Sequence, residues 1–188
     1  MSTGAPDRIA DVLVLCMTRG MSLGAWRNSG VLEREWAIYQ RLAPHYKHVV
    51  VVSYAHSGER EIASRLGAEA IFNESGGPHD TYLRDLPAQS VAKLRALGAT
   101  SAVVKTNQFE GGDAAVAITA ALRAANVTAA LIARGGYPWS RFESWKHGTD
   151  SPQAARAVAE EGELCRAADA VIGTTPSMVE DLARRCAL

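Results

Sequence analysis

Short apolar runs recur along the chain, each bounded by polar or glycine-containing stretches. Asp11–Met17 reads DVLVLCM, and comparable runs stand at Val49–Ser53, Ala102–Lys105, Thr128–Ala133 and Ala170–Gly173. Each is too short for a buried helix and lacks the alternation of a half-exposed strand, which predicts central parallel strands covered on both faces. Segments with helical period lie between them. Val31, Ile38 and Leu42 share a face with Leu32 and Tyr39, which predicts a helix over 30–43 behind the capping candidates Asn28 and Ser29. An Ala-rich helix is expected over Ala114–Ala125 with Asp113 as its cap, and Ser151-Pro152 and Thr175-Pro176 each place a capping hydroxyl before a proline at the first helical position. A weaker helix at Glu59–Leu66, a short strand at Glu69–Phe72 and a helix around Arg84–Leu97 complete six strands and six helices.

This alternation predicts an α/β fold with a doubly wound, mostly parallel, Rossmann-like sheet in a single domain over 1–188. The eight repeats of a closed barrel are missing. The longest irregular stretches are 18–29, 73–80 and 135–150.

Twenty Lys and Arg balance twenty Asp and Glu, so the chain has no electrostatic footprint for a phosphate polymer, and nucleic acid is not expected as a partner. No run approaches the roughly 18 apolar residues of a membrane span, and the start MSTGAPDRIADV lacks a basic segment followed by an apolar one. The expected location is cytoplasmic, with peripheral attachment at the inner face of the membrane left open. Cys16, Cys165 and Cys186 are odd in number and far apart, which points to neither a disulfide framework nor a zinc site.

In open α/β sheets ligands bind outside the carboxyl ends of the strands, so the loops leaving those ends are where chemistry is sought. The first, Thr18–Gly30, contains Gly20, Gly24 and Gly30 and opens toward a helix, where backbone amides can meet an anion. Its spacing is neither GxGxxG nor GxxxxGK[ST]. After the fourth strand comes a dense polar group, Lys105-Thr106-Asn107-Gln108, ahead of Glu110 and Asp113. After the fifth, Arg134-Gly135-Gly136-Tyr137-Pro138-Trp139-Ser140-Arg141-Phe142 combines stacking faces with charge-assisted donors, as a polyhydroxylated or anionic ligand requires; packing of these aromatics under the loop is the alternative. Arg134 either faces the ligand or forms a structural ion pair with Glu35 or Glu110. His45 and His48 sit at the wrong end of a strand for a ligand edge, Glu61 and Glu69 lack a glycine-rich context, and no metal ligand set stands out. Glu35 falls on the apolar side of its helix, where a carboxylate requires a partner. No GxSxG serine or cysteine with a basic neighbour offers an activated nucleophile, and no catalytic residue is singled out.

Gly24-Ala25-Trp26, the run Gly30–Glu35 with Tyr39 and Leu42, and Val51-Val52-Ser53-Tyr54 are followed by VKTNQFEGGDAA at 104–115, Arg134-Gly135-Gly136-Tyr137 with Ser140, and ADAVIGTTPSMVEDL at 168–182. In that order and spacing they resemble the N-terminal, acceptor-holding domain of family 4 glycosyltransferases of the GT-B fold. The resemblance covers essentially the whole chain. It implies one half of a GT-B fold, with the C-terminal donor domain absent from this chain and supplied by another domain or chain. It further implies retaining transfer from a nucleotide-sugar co-substrate to a glycan, lipid-linked or small-molecule acceptor, with no other cofactor and no bound metal. Gly20 and Gly24 would approach the donor diphosphate, while Lys105, Asn107, Gln108, Arg134, Tyr137 and Ser140 would line the acceptor site. The competing readings are a non-catalytic partner subunit of a split transferase and an unrelated nucleotide-dependent enzyme on the same fold.

Overall fold

The computed structural model describes residues 7–186. Six strands form one sheet: β1 (Val12–Cys16), β2 (His48–Val52), β3 (Glu69–Ile71), β4 (Ser101–Thr106), β5 (Thr128–Arg134) and β6 (Ala170–Ile172). Every pairing is parallel, and the order is β3-β2-β1-β4-β5-β6. Strand order therefore reverses between β1 and β4, and all six carboxyl ends share one edge. This is the Rossmann-like arrangement that the apolar runs predict. All five residues of β1 are buried, as expected for a central strand covered on both faces. β3 and β6 are edge strands, and in β6 Ala170 and Ile172 face solvent, so the expectation of two-sided burial fails there.

The described residues form eight α-helices, seven between strands and the last after β6: α1 (Leu23–Asn28), α2 (Leu32–Leu42), α3 (Glu59–Arg65), α4 (His79–Ala96), α5 (Gly112–Ala124), α6 (Trp139–His147), α7 (Pro152–Ala167) and α8 (Pro176–Cys186). Two of them, α1 and α6, lie inside stretches that read as irregular in the sequence. Both have the same cause. The fully buried carboxylate of Glu59 accepts the Leu23 and Gly24 amides at 2.9 Å at the start of α1, and that of Glu161, also fully buried, accepts the Trp139 amide at 3.0 Å at the start of α6. Each short helix is thus capped by a glutamate from another helix, satisfying amides that no local side chain reaches. Ser22 adds a local cap to α1 through the Ala25 amide.

Other helix starts also differ from expectation. Asn28 and Ser29 close α1 instead of opening α2, which begins at Leu32 and buries Leu32, Trp36 and Tyr39 at the i, i+4, i+7 positions while Ile38 faces solvent. α4 begins five residues before Arg84, behind Pro78 and with Asp80 in its first turn. The N-cap of α5 is Gly111 with φ +86°; Asp113 sits inside the first turn and pairs with Arg19. Ser151 and Thr175 do accept the amides of Ala154 and Met178, as the Ser-Pro and Thr-Pro pairs suggest. At the opposite edge, Asp11 staples the amino ends of β1 and β4 by accepting from the Thr100 amide and hydroxyl at 2.8 and 2.9 Å, and it pairs with Lys47.

Candidate functional site

Strand order reverses at the carboxyl ends of β1 and β4, the place where open α/β sheets bind ligands, and the loops that follow these strands meet there. Lys105 is the penultimate residue of β4, so its backbone is held by strand pairing on both sides, to Leu15 and to Ile132. Its Nζ is buried, donates to Tyr39 Oη at 3.1 Å and to the Thr106 carbonyl at 3.2 Å, and lies 5.0 Å from the Tyr39 ring centre. Tyr39 Oη in turn donates to Asn107 Oδ1 at 3.3 Å, and Asn107 Nδ2 reaches Thr18 Oγ1 at 3.4 Å. Arg134, the last residue of β5, is fixed by two hydrogen bonds between its backbone and the Thr106 hydroxyl, and its Nη1 donates to the Asn107 carbonyl at 2.8 Å. Lys105, Asn107 and Arg134, which the sequence places on one sheet edge, are brought together there.

Among the described residues neither Lys105 nor Arg134 forms an ion pair. Neither alternative named for Arg134 pairs with it: Glu35 pairs with Arg34, and the Glu110 carboxyl, pushed up by burial, is not bonded to Arg134. Burial, and after it the nearby Arg134 charge, pull the Lys105 ammonium down to about 8. Burial likewise pushes the Tyr39 phenol above its ordinary range. Two cations without a carboxylate therefore share the edge, a local excess of positive charge that an anionic ligand group would offset.

Gln108 turns its side chain to the neighbouring loop, where Oε1 accepts the Gly136 amide at 2.6 Å. Tyr137 follows, partly exposed at the rim. Ser140 is not part of this edge: it is buried in α6, where its hydroxyl donates to Glu161 and accepts from Arg185 Nη1 at 3.0 Å, tying α6, α7 and α8 together. Gly24 is also used differently from the expectation. Its amide is taken by the Glu59 carboxylate, and a Cβ there would sit 3.2 Å from Glu59 Oε1, so a protein anion occupies the helix end where a diphosphate was expected. Gly20 is exposed, with φ +76° and open space around it.

Residues not singled out as site candidates from the sequence also belong to this edge. Tyr39 bridges Lys105 and Asn107; the signal was its phenol, since a buried tyrosine hydroxyl requires a partner. Arg19 clasps the loops by pairing with Asp113 and Glu160, and Gly111 packs so closely that a Cβ would lie 2.9 Å from the Arg19 amide nitrogen. Tyr54 Oη and Arg19 Nε are buried without hydrogen-bond partners among the described residues. A cavity of about 500 Å³ lies beside the edge, lined by Gly136, Tyr137, Arg141, Thr174, Thr175 and Asp181. A second of similar size lies along β3 and α4, lined in part by Asn73, Tyr82 and Lys93, away from Lys105 and Arg134. Among the described residues no group of three His, Cys, Asp or Glu side chains could hold a metal ion, and no helix is long and apolar enough to cross a membrane.

Solved structures share this architecture. A Listeria monocytogenes protein described as a UDP-N-acetylglucosamine 2-epimerase aligns over 94% of this chain and 43% of its own length, with 11% identity and a TM-score of 0.51. The chain has a Rossmann-like fold matching part of a GT-B-like structure. A second UDP-N-acetylglucosamine 2-epimerase aligns over 93% of this chain and 44% of its own, at 10% identity and a TM-score of 0.50. The chain thus spans less than half the length of either. No protein-family model and no curated protein matches it.

Proposed function

We propose that this chain is the acceptor-holding half of a GT-B-like enzyme that acts on a nucleotide sugar, and that the reaction is glycosyl transfer. The observation that carries this reading is the pair of uncompensated cations, Lys105 and Arg134, at the edge where strand order reverses. Arg134 offers a fork of donors held in place by the Thr106 hydroxyl, and Lys105 offers a desolvated point charge beside it. Together they suit a phosphate or carboxylate on the acceptor, or the diphosphate that departs from the donor, whose charge would be stabilised electrostatically without a covalent intermediate. The donor-gripping half would be provided by another domain or a second chain.

Titration calorimetry with a hexose phosphate, with UDP and with UDP-N-acetylglucosamine tests this. The hexose phosphate should bind, and Arg134→Ala should weaken it about tenfold or more with the melting temperature nearly unchanged, since no ion pair is broken. Low-micromolar binding of the nucleotide sugar that is indifferent to Arg134→Ala would mean that the chain is the donor half. A second reading, one half of a nucleotide-sugar epimerase, is favoured by the two structural neighbours. Proton NMR of UDP-N-acetylglucosamine incubated with the complete enzyme separates them, because epimerisation yields a new nucleotide sugar whereas transfer consumes it only when an acceptor is present.

A further inference from the structure

The aromatics after β5 divide in a way the sequence did not show. Trp139 is buried at the start of α6, whereas Tyr137, Phe142 and Trp145 are 38%, 42% and 83% exposed. Their rings follow one another, with centres 5.5 Å apart from Tyr137 to Phe142 and 6.1 Å apart from Phe142 to Trp145. The row starts beside Gly136, whose amide is held by Gln108, and runs outward along α6. Its support is rigid: the first turn of α6 is fixed by the buried Glu161, which is itself bonded to Arg185. An exposed tryptophan of this size on a short, firmly capped helix contributes nothing to the core.

We infer that Tyr137, Phe142 and Trp145 form a stacking platform for an oligosaccharide, several sugars long, leading away from the Lys105 and Arg134 edge. It deepens the acceptor-holding role proposed above by naming the acceptor class. Sugar rings present C–H faces that pack on aromatic rings and hydroxyls that need polar neighbours. Polar neighbours are at hand: Arg141 and Lys146, both exposed, precede Phe142 and follow Trp145 on α6 and flank the face that the two rings share. A protein-docking patch would instead carry an apolar centre from which charged residues are depleted. The platform continues directly into the candidate site through Tyr137, which also lines the adjoining cavity. A chain laid along the rings therefore places its end at the Lys105 and Arg134 edge.

Trp145 provides its own probe. The other three tryptophans, Trp26, Trp36 and Trp139, are 3%, 4% and 7% exposed, so iodide quenching of intrinsic fluorescence reads Trp145. The protein is titrated with chitotetraose, cellotetraose and maltotetraose and with the corresponding monosaccharides, all without nucleotide. At least one tetrasaccharide should protect Trp145 from iodide severalfold more effectively than its monosaccharide. Phe142→Ala should weaken that protection several-fold. Calorimetry on Trp145→Ala should show the same tetrasaccharide binding reduced or lost, with the urea midpoint unchanged. Protection by none of the tetrasaccharides overturns the inference, as does protection that follows protein concentration or added phosphatidylglycerol vesicles instead of sugar. Tetrasaccharide binding without hexose phosphate binding would leave the platform and remove the cation-pair reading; the converse would remove the platform alone.

Discussion

Replacing Lys105 with methionine should cost the protein little stability at pH 7 while weakening its hold on anions. The ammonium is buried beside Tyr39 and close enough to feel the Arg134 charge, and its pKa falls from 10.5 to about 8. At 1.36 kcal/mol per unit, keeping it charged in the fold costs about 3 kcal/mol relative to the unfolded chain. Methionine keeps the apolar stem and removes the charge but forfeits the hydrogen bonds from the ammonium to Tyr39 and the Thr106 carbonyl, worth about 1.5 kcal/mol each for a charged donor. Tyr39 still donates to Asn107. The two nearly cancel, and the expectation is a variant within about 1 kcal/mol of wild type at pH 7.

The sign of the pH dependence follows from the lowered folded-state pKa. Below about pH 8 lysine is protonated in both states and the cost is fully present. Between about 8 and 10.5 the unfolded chain holds more protons than the folded one, so wild-type stability rises with pH relative to the variant. Urea unfolding of both proteins at pH 7, 8.5 and 10 measures this, with the difference moving by about 2 to 3 kcal/mol in favour of wild type. A Lys105→Met protein clearly less stable than wild type at pH 7, or a difference that does not change with pH, would refute an uncompensated buried cation. Hexose phosphate affinity should also decline in wild type above pH 8 and be low throughout in the variant.

Glu59→Ala leaves the Leu23 and Gly24 amides and the Ser53 hydroxyl without their acceptor and should cost about 3 kcal/mol or more; urea unfolding and faster amide exchange at Leu23 and Gly24 check it. Gly135→Ala puts a Cβ 2.3 Å from the buried Phe109 ring, next to Asn107 and Gln108, so an overpacking cost of about 1 to 3 kcal/mol should come with weaker hexose phosphate binding by calorimetry. In Asp11 the Lys47 ammonium and the Thr100 donors hold the carboxyl well below its usual range, so its stabilisation is present above about pH 4 and lost as acid protonates it. Asp11→Asn should therefore be less stable than wild type at pH 7, with the gap narrowing as pH falls below 4 in an acid titration followed by circular dichroism.

The candidate site was legible where a side chain follows directly from strand position. Lys105 and Arg134 end buried apolar runs, and in an all-parallel sheet every such end lies on one edge; that the two are neighbours there follows from the pairing of β4 with β5. Tyr39 and Arg19 were not legible in the same way. Their partners are 66 to 141 residues away, and an i, i+4, i+7 pattern reads a tyrosine as core without showing what its hydroxyl meets. For Ser140 and Gly24, residue type does not show the groups that bond to them, Glu161 and Glu59.

By itself, the sequence determined the strands, the long helices and the edge on which chemistry gathers, because continuous apolar runs and period-3.6 faces encode burial locally. Tertiary structure alone decided α1 and α6. Six and nine residues of modest periodicity do not hold a helix unaided; they do so here because glutamates 35 and 22 positions along the chain bring buried carboxylates to their first turns. The same packing exposes Trp145 and buries Trp139, two tryptophans six residues apart on one helix that local sequence cannot tell apart. What separates them is which side of α6 the rest of the fold covers.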